Sequence, residues 1–408
     1  MLDTPKGNRL HIALFGRRNA GKSSLINALT NQELAVVSSI PGTTTDPVFK
    51  SMEILPLGPV VLIDTAGIDD TGELGALRVK KTLEVLRKTD LAILVLDPEH
   101  GVGDYELELK ARLAEAKIPV VAVLNKIDVD GRTRLADLEQ ALGQKILPVS
   151  AKTRQGIEEL KRELIKAAPS DFEAPYLVGD LVEPGDLAVL VVPIDTAAPK
   201  GRLILPQVQV LRDLLDHNAM GLVVKEKELT DALAKIPRPK IVITDSQVFS
   251  KVAAATPREV WMTSFSILMA RYKGDLLELV RGAKAIKHLK PGDRVLIAEA
   301  CTHHRQPEDI GKVQIPRWLR QQVGGELDFQ WVSGGGFPED LSPYRLIVHC
   351  GACMINRREM LYRIQAAKAA GVPIVNYGVF LAYVHGILDR ALEPFPAAKM
   401  VWEEGSSR

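Results

Sequence analysis

The chain contains three cysteines, Cys301, Cys350 and Cys353, and all of them fall in two short clusters, Cys301-Thr302-His303-His304 and His349-Cys350-Gly351-Ala352-Cys353. Thiolates are soft ligands that hold iron–sulfur clusters or zinc. Three of them beside imidazoles describe a metal centre whose fourth position is weak or exchangeable. A structural zinc site of Cys3His type uses the same residue types, so ligand chemistry alone leaves both readings open. An odd number of thiols does not build a disulfide framework and points to a reducing compartment.

A second constellation lies far upstream. Gly16-Arg17-Arg18-Asn19-Ala20-Gly21-Lys22-Ser23-Ser24 fits the phosphate-loop pattern, with the apolar run Ile12 to Phe15 before it and the helical stripe Leu25, Ala28, Leu29 after it. The glycines let backbone N–H groups face phosphates. The following helix offers its positive end, Lys22 reaches the outer phosphates, and Ser23 ligates magnesium. Asp64-Thr65-Ala66-Gly67 follows the apolar run Val60 to Ile63 and supplies a carboxylate for magnesium and a glycine N–H for a terminal phosphate. Asn125-Lys126-Ile127-Asp128 follows Val120 to Leu124. Its Asp128 carboxylate can accept from the N1–H and 2-amino group of guanine, whereas adenine presents an acceptor there, so GTP is selected over ATP. Ser150-Ala151-Lys152, after Ile146 to Val149, completes the base pocket with a backbone N–H.

Between these boxes stands Pro41-Gly42-Thr43-Thr44-Thr45-Asp46, which resembles the switch loop of the Era/TrmE-like GTPases. The resemblance implies that Thr44 closes over magnesium when the terminal phosphate is present, that Thr45 replaces the family's arginine, and that Asn19 helps hold a potassium ion. Ile68 follows Gly67 where Ras-type enzymes carry the glutamine that orients water, so slow intrinsic hydrolysis is expected. Lys22, Thr44, Asp64 and Gly67 are the expected catalytic set.

The elements that must position these residues divide into three units. At 408 residues and 46% hydrophobic the chain can bury ordinary cores in two to four domains. A formal net charge of +1 and a pI near 7.7 give no support to nucleic-acid binding. Mean hydropathy of +0.03 and the lack of an apolar run near 20 residues exclude a signal peptide or membrane span, and the expected location is cytoplasmic. The prolines of the segment from Ala167 to Pro175 mark a linker. A second α/β unit follows, with strands at Leu187 to Ile194, Leu222 to Lys225 and Ile241 to Thr244 and a helix through Val208, Leu211 and Leu215. It lacks a catalytic constellation and suits dimer formation. A softer break from Ser264 to Pro291 precedes a third unit. Its strands from Arg294 and from Tyr344 deliver Cys301 and Cys350 to their carboxyl ends, and further strands lie at Phe329 to Val332 and Pro373 to Asn376. Ligands collect outside the carboxyl ends of parallel strands, so both cysteine clusters are expected on one rim. The fold expected is a Ras-like P-loop GTPase domain (1–168) followed by two smaller α/β domains with mainly parallel sheets, one for dimerisation (175–265) and one for cluster binding (270–408).

Over its whole length this pattern resembles the HydF family, the maturation GTPases of the iron-only (FeFe) hydrogenases. That family joins an Era/TrmE-like GTPase domain to a dimerisation domain and to a domain marked by Cys-x-His, a long gap, then His-Cys-x-x-Cys. Here Cys301, His303, His349, Cys350 and Cys353 meet that pattern. The resemblance implies GTP or GDP with magnesium in the first domain and a 4Fe–4S cluster held by the three cysteines in the last. The fourth iron would be left to water or an exogenous ligand, to His303 or His349, or to Asp309 or Glu308. It further implies a homodimer that acts as scaffold and carrier for a diiron subcluster precursor, meeting radical-SAM maturases and apo FeFe-hydrogenase.

Overall fold

The computed structural model describes residues 6–30, 47–65, 84–129, 135–169, 176–193, 203–300, 309–334 and 336–404. The expected switch loop with Thr44, the turn carrying Gly67 and Ile68, and the segment with Cys301, His303 and Glu308 lie outside these residues. The chain forms two compact units, Met1–Glu173 and Ala174–Arg408, which divide within the proline-marked segment.

The first unit is built on a six-stranded sheet. Its strands are β1 (Leu10–Phe15), β2 (Val48–Ile54), β3 (Gly58–Asp64), β4 (Leu91–Leu96), β5 (Val120–Leu124) and β6 (Ile146–Pro148), ordered β2-β3-β1-β4-β5-β6. All neighbours are parallel except β2 and β3. Because alternate side chains enter cores on opposite faces, β1 and β4 are buried at every position, with His11 the one polar residue between them. Leu10, Ile12 and Leu14 enter one core with Leu25 and Leu29 of the helix Lys22–Thr30 and Leu160 and Leu164 of the helix Ile157–Ala167. Ala13 and Phe15 enter the other with Leu109 and Leu113 of the helix Asp104–Glu115. Helices thus cover both faces. β2 is an antiparallel edge strand with Val48 and Phe49 exposed, and its mixed polar pattern gives no buried-strand signature.

The second unit holds two four-stranded sheets. β7 (Leu187–Val191), β8 (Met220–Val224), β9 (Ile241–Thr244) and β10 (Trp261–Ser264) run in the order β10-β9-β7-β8. β11 (Arg294–Glu299), β12 (Asp328–Ser333), β13 (Leu346–His349) and β14 (Ile374–Asn376) run in the order β12-β11-β13-β14. Every pairing in both is parallel. The stretch Ser264 to Pro291, where a softer break was expected, contains the helices Phe265–Lys273 and Leu276–Lys284, whose apolar residues belong to one core running from Leu177 to Val401. Ser264 Oγ caps the first helix by accepting from Ile267 N at 3.2 Å, and Asp275 Oδ1 caps the second by accepting from Leu277 N at 3.0 Å. Gly282 lets the second helix lie directly on β14, since a Cβ there would stand 1.8 Å from the Ile374 carbonyl oxygen. Among the described residues no helix is long and apolar enough to cross a membrane.

Candidate functional site

In the first unit the expected nucleotide-binding residues gather at the carboxyl ends of the parallel strands. Gly16 follows β1 with φ +154°, and a Cβ there would meet the Val95 carbonyl oxygen at 2.3 Å, so only glycine fits where the loop passes β4. The loop is held from two sides. Arg17 donates from Nε and Nη2 to Glu106 at 2.8 and 3.1 Å, and that buried carboxylate also accepts from Gly103 N at 2.9 Å. Asn125, 1% exposed, donates from Nδ2 to the Ala20 carbonyl at 2.9 Å and accepts on Oδ1 from Ala151 N at 3.0 Å. Gly21 at φ +89° leaves room for that amide, because a Cβ would stand 2.3 Å from Asn125 Nδ2. Asn125 therefore ties the phosphate loop to the base-pocket loops.

Lys22 is buried, and its Nζ donates to the carbonyls of Gly16 and Arg17, both at 2.8 Å, so the ammonium already spans the loop's mouth. Ser23 Oγ donates to Asp64 Oδ2 at 2.5 Å. Burial pushes the Asp64 carboxyl above its ordinary value, while the Ser23 hydroxyl and the ammonium groups of Lys22 and Lys50 pull it down. The pair joins the ends of the first two boxes, and its oxygens suit a hard divalent cation. Farther along the rim, Ser150 Oγ donates to Asp128 Oδ1 at 2.6 Å and accepts from Thr153 N at 3.0 Å. This bond, foremost, lowers the pKa of the solvent-facing Asp128 carboxyl. Lys126 takes φ +65° and Lys152 is exposed beside the pocket. Asn19, at φ +60°, and Ser24 complete the described part of the loop and its helix.

In the second unit β11 and β13 end together, with Ala298 opposite His349 in register. Cys350 N donates to the Ala298 carbonyl at 2.9 Å, and Ala300 N donates to Cys350 Sγ at 3.1 Å. The residue preceding Cys301 is thus bonded to the Cys350 sulfur. Cys350 and Cys353 are both half-buried thiols, and Ala352 between them takes the left-handed conformation at φ +56°. Burial pushes the Cys353 thiol up, and the nearby Lys273 ammonium works against it.

His349 is fully buried, with Nδ1 on the Cys350 carbonyl at 2.9 Å and Nε2 on Arg363 Nη1 at 3.1 Å. A guanidinium only donates, so Nε2 must accept, which places the ring proton on Nδ1 and directs it to the Cys350 carbonyl. Burial and the Arg363 charge lower the imidazole's pKa to about 3. Arg363, 1% exposed, also donates to Glu359 Oε1 at 3.0 and 3.1 Å and to the Gly334 carbonyl at 2.7 Å. With both ring nitrogens engaged, His349 orients the cysteine strand end; neither nitrogen is directed at the thiols. Asp309, the described carboxylate candidate, is buried and accepts on Oδ1 from Lys312 N at 2.9 Å, capping the helical turn Ile310–Gln314. Glu299, expected to serve strand-end hydrogen bonding, accepts from the Tyr377 hydroxyl at 3.2 Å. Burial, then the charges of Cys350 and Glu299, hold that phenol well above its ordinary pKa.

Sequence reading missed Arg363, Glu359, Lys273 and Tyr377. The Glu359–Arg363 spacing of four on a helix is visible in sequence, but such pairs are ordinarily solvated. Lys273 lies three residues beyond the apolar stretch Ile267 to Ala270, a spacing that does not by itself distinguish an inward cation from a solvated one.

Comparison with known proteins follows this division. Residues 11–126 match the family model described as 50S ribosome-binding GTPase, residues 177–274 the hydrogen maturase F dimerization domain, and residues 277–394 the hydrogen maturase F tetramerization domain. Curated relatives include the tRNA modification GTPases MnmE of Nitrosomonas europaea, 38% identical over 160 residues, and of Aquifex aeolicus, 37% identical over 163. These alignments cover 39% and 40% of this chain, and the chain spans about a third, 35%, of the length of either relative. Among solved structures, an Aquifex aeolicus Era bound to GDP and AlF4− is 19% identical with TM-score 0.36, covering 53% of this chain and 93% of that one. The G domain of the T. maritima FeoB iron transporter is 28% identical with TM-score 0.31, covering 39% and 98%. The two maturase models together span more than half of the 408 residues, behind a GTPase domain. The chain belongs to the hydrogen maturase F family: a Ras-like P-loop GTPase domain followed by that family's dimerization and tetramerization domains.

Proposed function

We propose that this GTPase of the hydrogenase-maturation family is a GTP-driven iron–sulfur scaffold and carrier. In this reading the chain holds a 4Fe–4S cluster through Cys301, Cys350 and Cys353, accepts a diiron subcluster precursor from radical-SAM maturases, and passes it to apo FeFe-hydrogenase. The observation that carries the reading is the Ala300 N–H on Cys350 Sγ, which brings the chain leading into Cys301 beside the second cysteine cluster at the carboxyl ends of the two inner strands. Two half-buried thiols with a third one residue beyond Ala300 are a soft donor set that fits such a cluster. The cluster would supply an iron lacking a fourth cysteine, where cargo can attach and leave. His349 orients Cys350 in this scheme, and the fourth position falls to water, an exogenous ligand, His303, Glu308 or Asp309.

In the GTPase domain Asp128, held by Ser150, reads the guanine edge, with Asn125, Lys126, Ala151 and Lys152 around it. Lys22 exchanges its two carbonyl partners for the outer phosphates. Ser23 and Asp64 would hold magnesium, which spreads the charge developing on the phosphate oxygens. Asn19 supports a potassium ion, and Thr44 and Gly67 serve the terminal phosphate. The domains are modules at 1–168, 175–265 and 270–408, and the matched dimerization region runs on to residue 274, so the helix Phe265–Lys273 straddles the boundary between the last two. The protein is a cytoplasmic homodimer at least, built through the assembly domains of the second unit, without nucleic acid or membrane as partner.

The test is anaerobic isolation followed by iron, acid-labile sulfide and zinc analysis, with two variants. Lys22→Ala should lose GTP hydrolysis and keep iron and sulfide, and Cys353→Ser should lose iron and keep hydrolysis. Zinc in place of iron and sulfide would defeat the carrier reading, and loss of the cluster in folded Lys22→Ala would defeat the modular one.

A further inference from the structure

Lys273 is the last residue of the helix Phe265–Lys273 and falls inside the region matched by the dimerization domain, yet it is only 2% exposed. A lysine at a helix C-terminus ordinarily reaches into solvent, where the terminal carbonyls favour it at little desolvation cost. Here the ammonium turns inward. Nζ donates to the carbonyl of Ile355, two residues beyond Cys353, at 3.3 Å, and lies 5.6 Å from the centre of the Tyr272 ring. The same helix end is clamped from the other side. Arg357 Nη1 donates to the carbonyls of Tyr272 at 2.9 Å, Gly274 at 3.1 Å and Arg271 at 3.4 Å. The short span from Cys353 to Arg357 therefore makes two contacts with one helix end, one received from a buried cation and one given to three carbonyls.

We infer that Lys273 is a positioning residue of the metal centre: its buried charge, delivered by the dimerization domain, sets the reduction potential of a cluster bound through Cys353. The inference rests on the cluster reading given above. A cluster with three thiolates carries net negative charge, which grows by one unit on reduction. A fixed positive charge a few residues away in a poorly hydrated interior stabilises the reduced state more than the oxidised one. Outer partners that orient and tune a metal's ligands are as much part of such a site as the ligands. The consequence is that the helix closing the region matched by the dimerization domain carries a site residue, although the described cysteines all lie beyond that region.

The full-length chain, reconstituted anaerobically with iron and sulfide, is titrated by mediated redox potentiometry and followed by EPR for the wild type, Lys273→Met and Lys273→Arg. Methionine keeps the stem and removes the charge. The expected result is equal iron and equal GTP hydrolysis in all three, a midpoint potential shifted to more negative values in Lys273→Met, and a potential near wild type in Lys273→Arg. Lys273→Met with full iron and an unmoved potential would overturn the inference alone. A wild type that takes up no iron and sulfide would overturn the cluster reading and the inference with it. Should Lys273→Met lose its iron, Lys273→Arg decides: retention of iron at the wild-type potential supports the role of the charge, and loss of iron there too makes the residue a packing element and overturns it.

Discussion

Replacing Arg363 with methionine removes one cation from a fully enclosed network while keeping most of the stem's packing, including its place beside the Phe337 ring, 5.1 Å from the guanidinium carbon. The guanidinium is 1% exposed and Glu359 is 4% exposed, and Glu359 Oε2 accepts no hydrogen bond. Without Arg363 the Glu359 carboxylate is a buried charge with nothing to offset it, which costs about 3 to 5 kcal/mol. That is a large fraction of the roughly 5 to 15 kcal/mol that stabilises a domain. The double variant Glu359→Leu/Arg363→Met removes both charges. Its residual cost is the Gly334 carbonyl and His349 Nε2 left without a donor, about 1 to 3 kcal/mol each, a cost that Arg363→Met alone bears as well. The double variant should therefore be more stable than Arg363→Met alone. Urea denaturation followed by tryptophan fluorescence reports this directly, because all four tryptophans, Trp261, Trp318, Trp331 and Trp402, lie in the second unit. A loss under about 1 kcal/mol in Arg363→Met, or strictly additive effects in the double variant, would refute the argument from buried charge.

Two other outcomes follow from the sites. In Asp128→Asn the Ser150 hydroxyl should select the amide oxygen, leaving the NH2 facing the base, so GTP binding weakens roughly 10- to 100-fold and xanthosine triphosphate, which presents an acceptor, gains; competition binding that leaves the preference for GTP unchanged would remove Asp128 from the base pocket. His349 has a folded pKa of about 3 against an ordinary 6.5, so its neutral form is favoured on folding, its contribution is complete above pH 6.5, and it drains away as pH falls from 6.5 towards 3. In metal-free chain that is about 2 kcal/mol lost from the second unit by pH 5, and His349→Gln should flatten the dependence between pH 7 and 5 in the same fluorescence assay.

What could be read from sequence followed the motifs. β1, β3, β5, β11 and β13 are short, largely apolar runs, each ending at or directly before a motif residue, so the motif and the strand identify one another. β4 is as apolar as any of them and β10 pairs fully with β9, but neither delivers one of the recognised boxes, and both were passed over. Between Ser264 and Pro291 the stripe Leu277, Leu279 and Val280 predicts the helix Leu276–Lys284, which forms, whereas the helix Phe265–Lys273 and the packing of both are not legible. The close approach of Gly282 to β14 leaves no hydrophobic trace, because a glycine at a contact looks like a glycine at a break. The convergence of Ala300 on Cys350 was legible because parallel strands present their carboxyl ends on one rim. The partners of His349 were not. Arg363 is 14 residues away and Gly334 lies on a different loop, and only packing brings them together.

The two cations near the cysteines differ in what they supply. Arg363 is paired with Glu359 and fixes the His349 ring, and through the Nδ1 proton the Cys350 carbonyl, at the end of β13. Lys273 donates to the loop beyond Cys353 from a helix of the preceding domain, and its charge is felt at that thiol. Cys350 is thus secured within its own sheet, whereas the surroundings of Cys353 depend on where one helix end lies. A shift of that helix would change the hydrogen bonding of the loop beyond Cys353, while the backbone bond from Cys350 to Ala298 belongs to the pairing of β11 and β13.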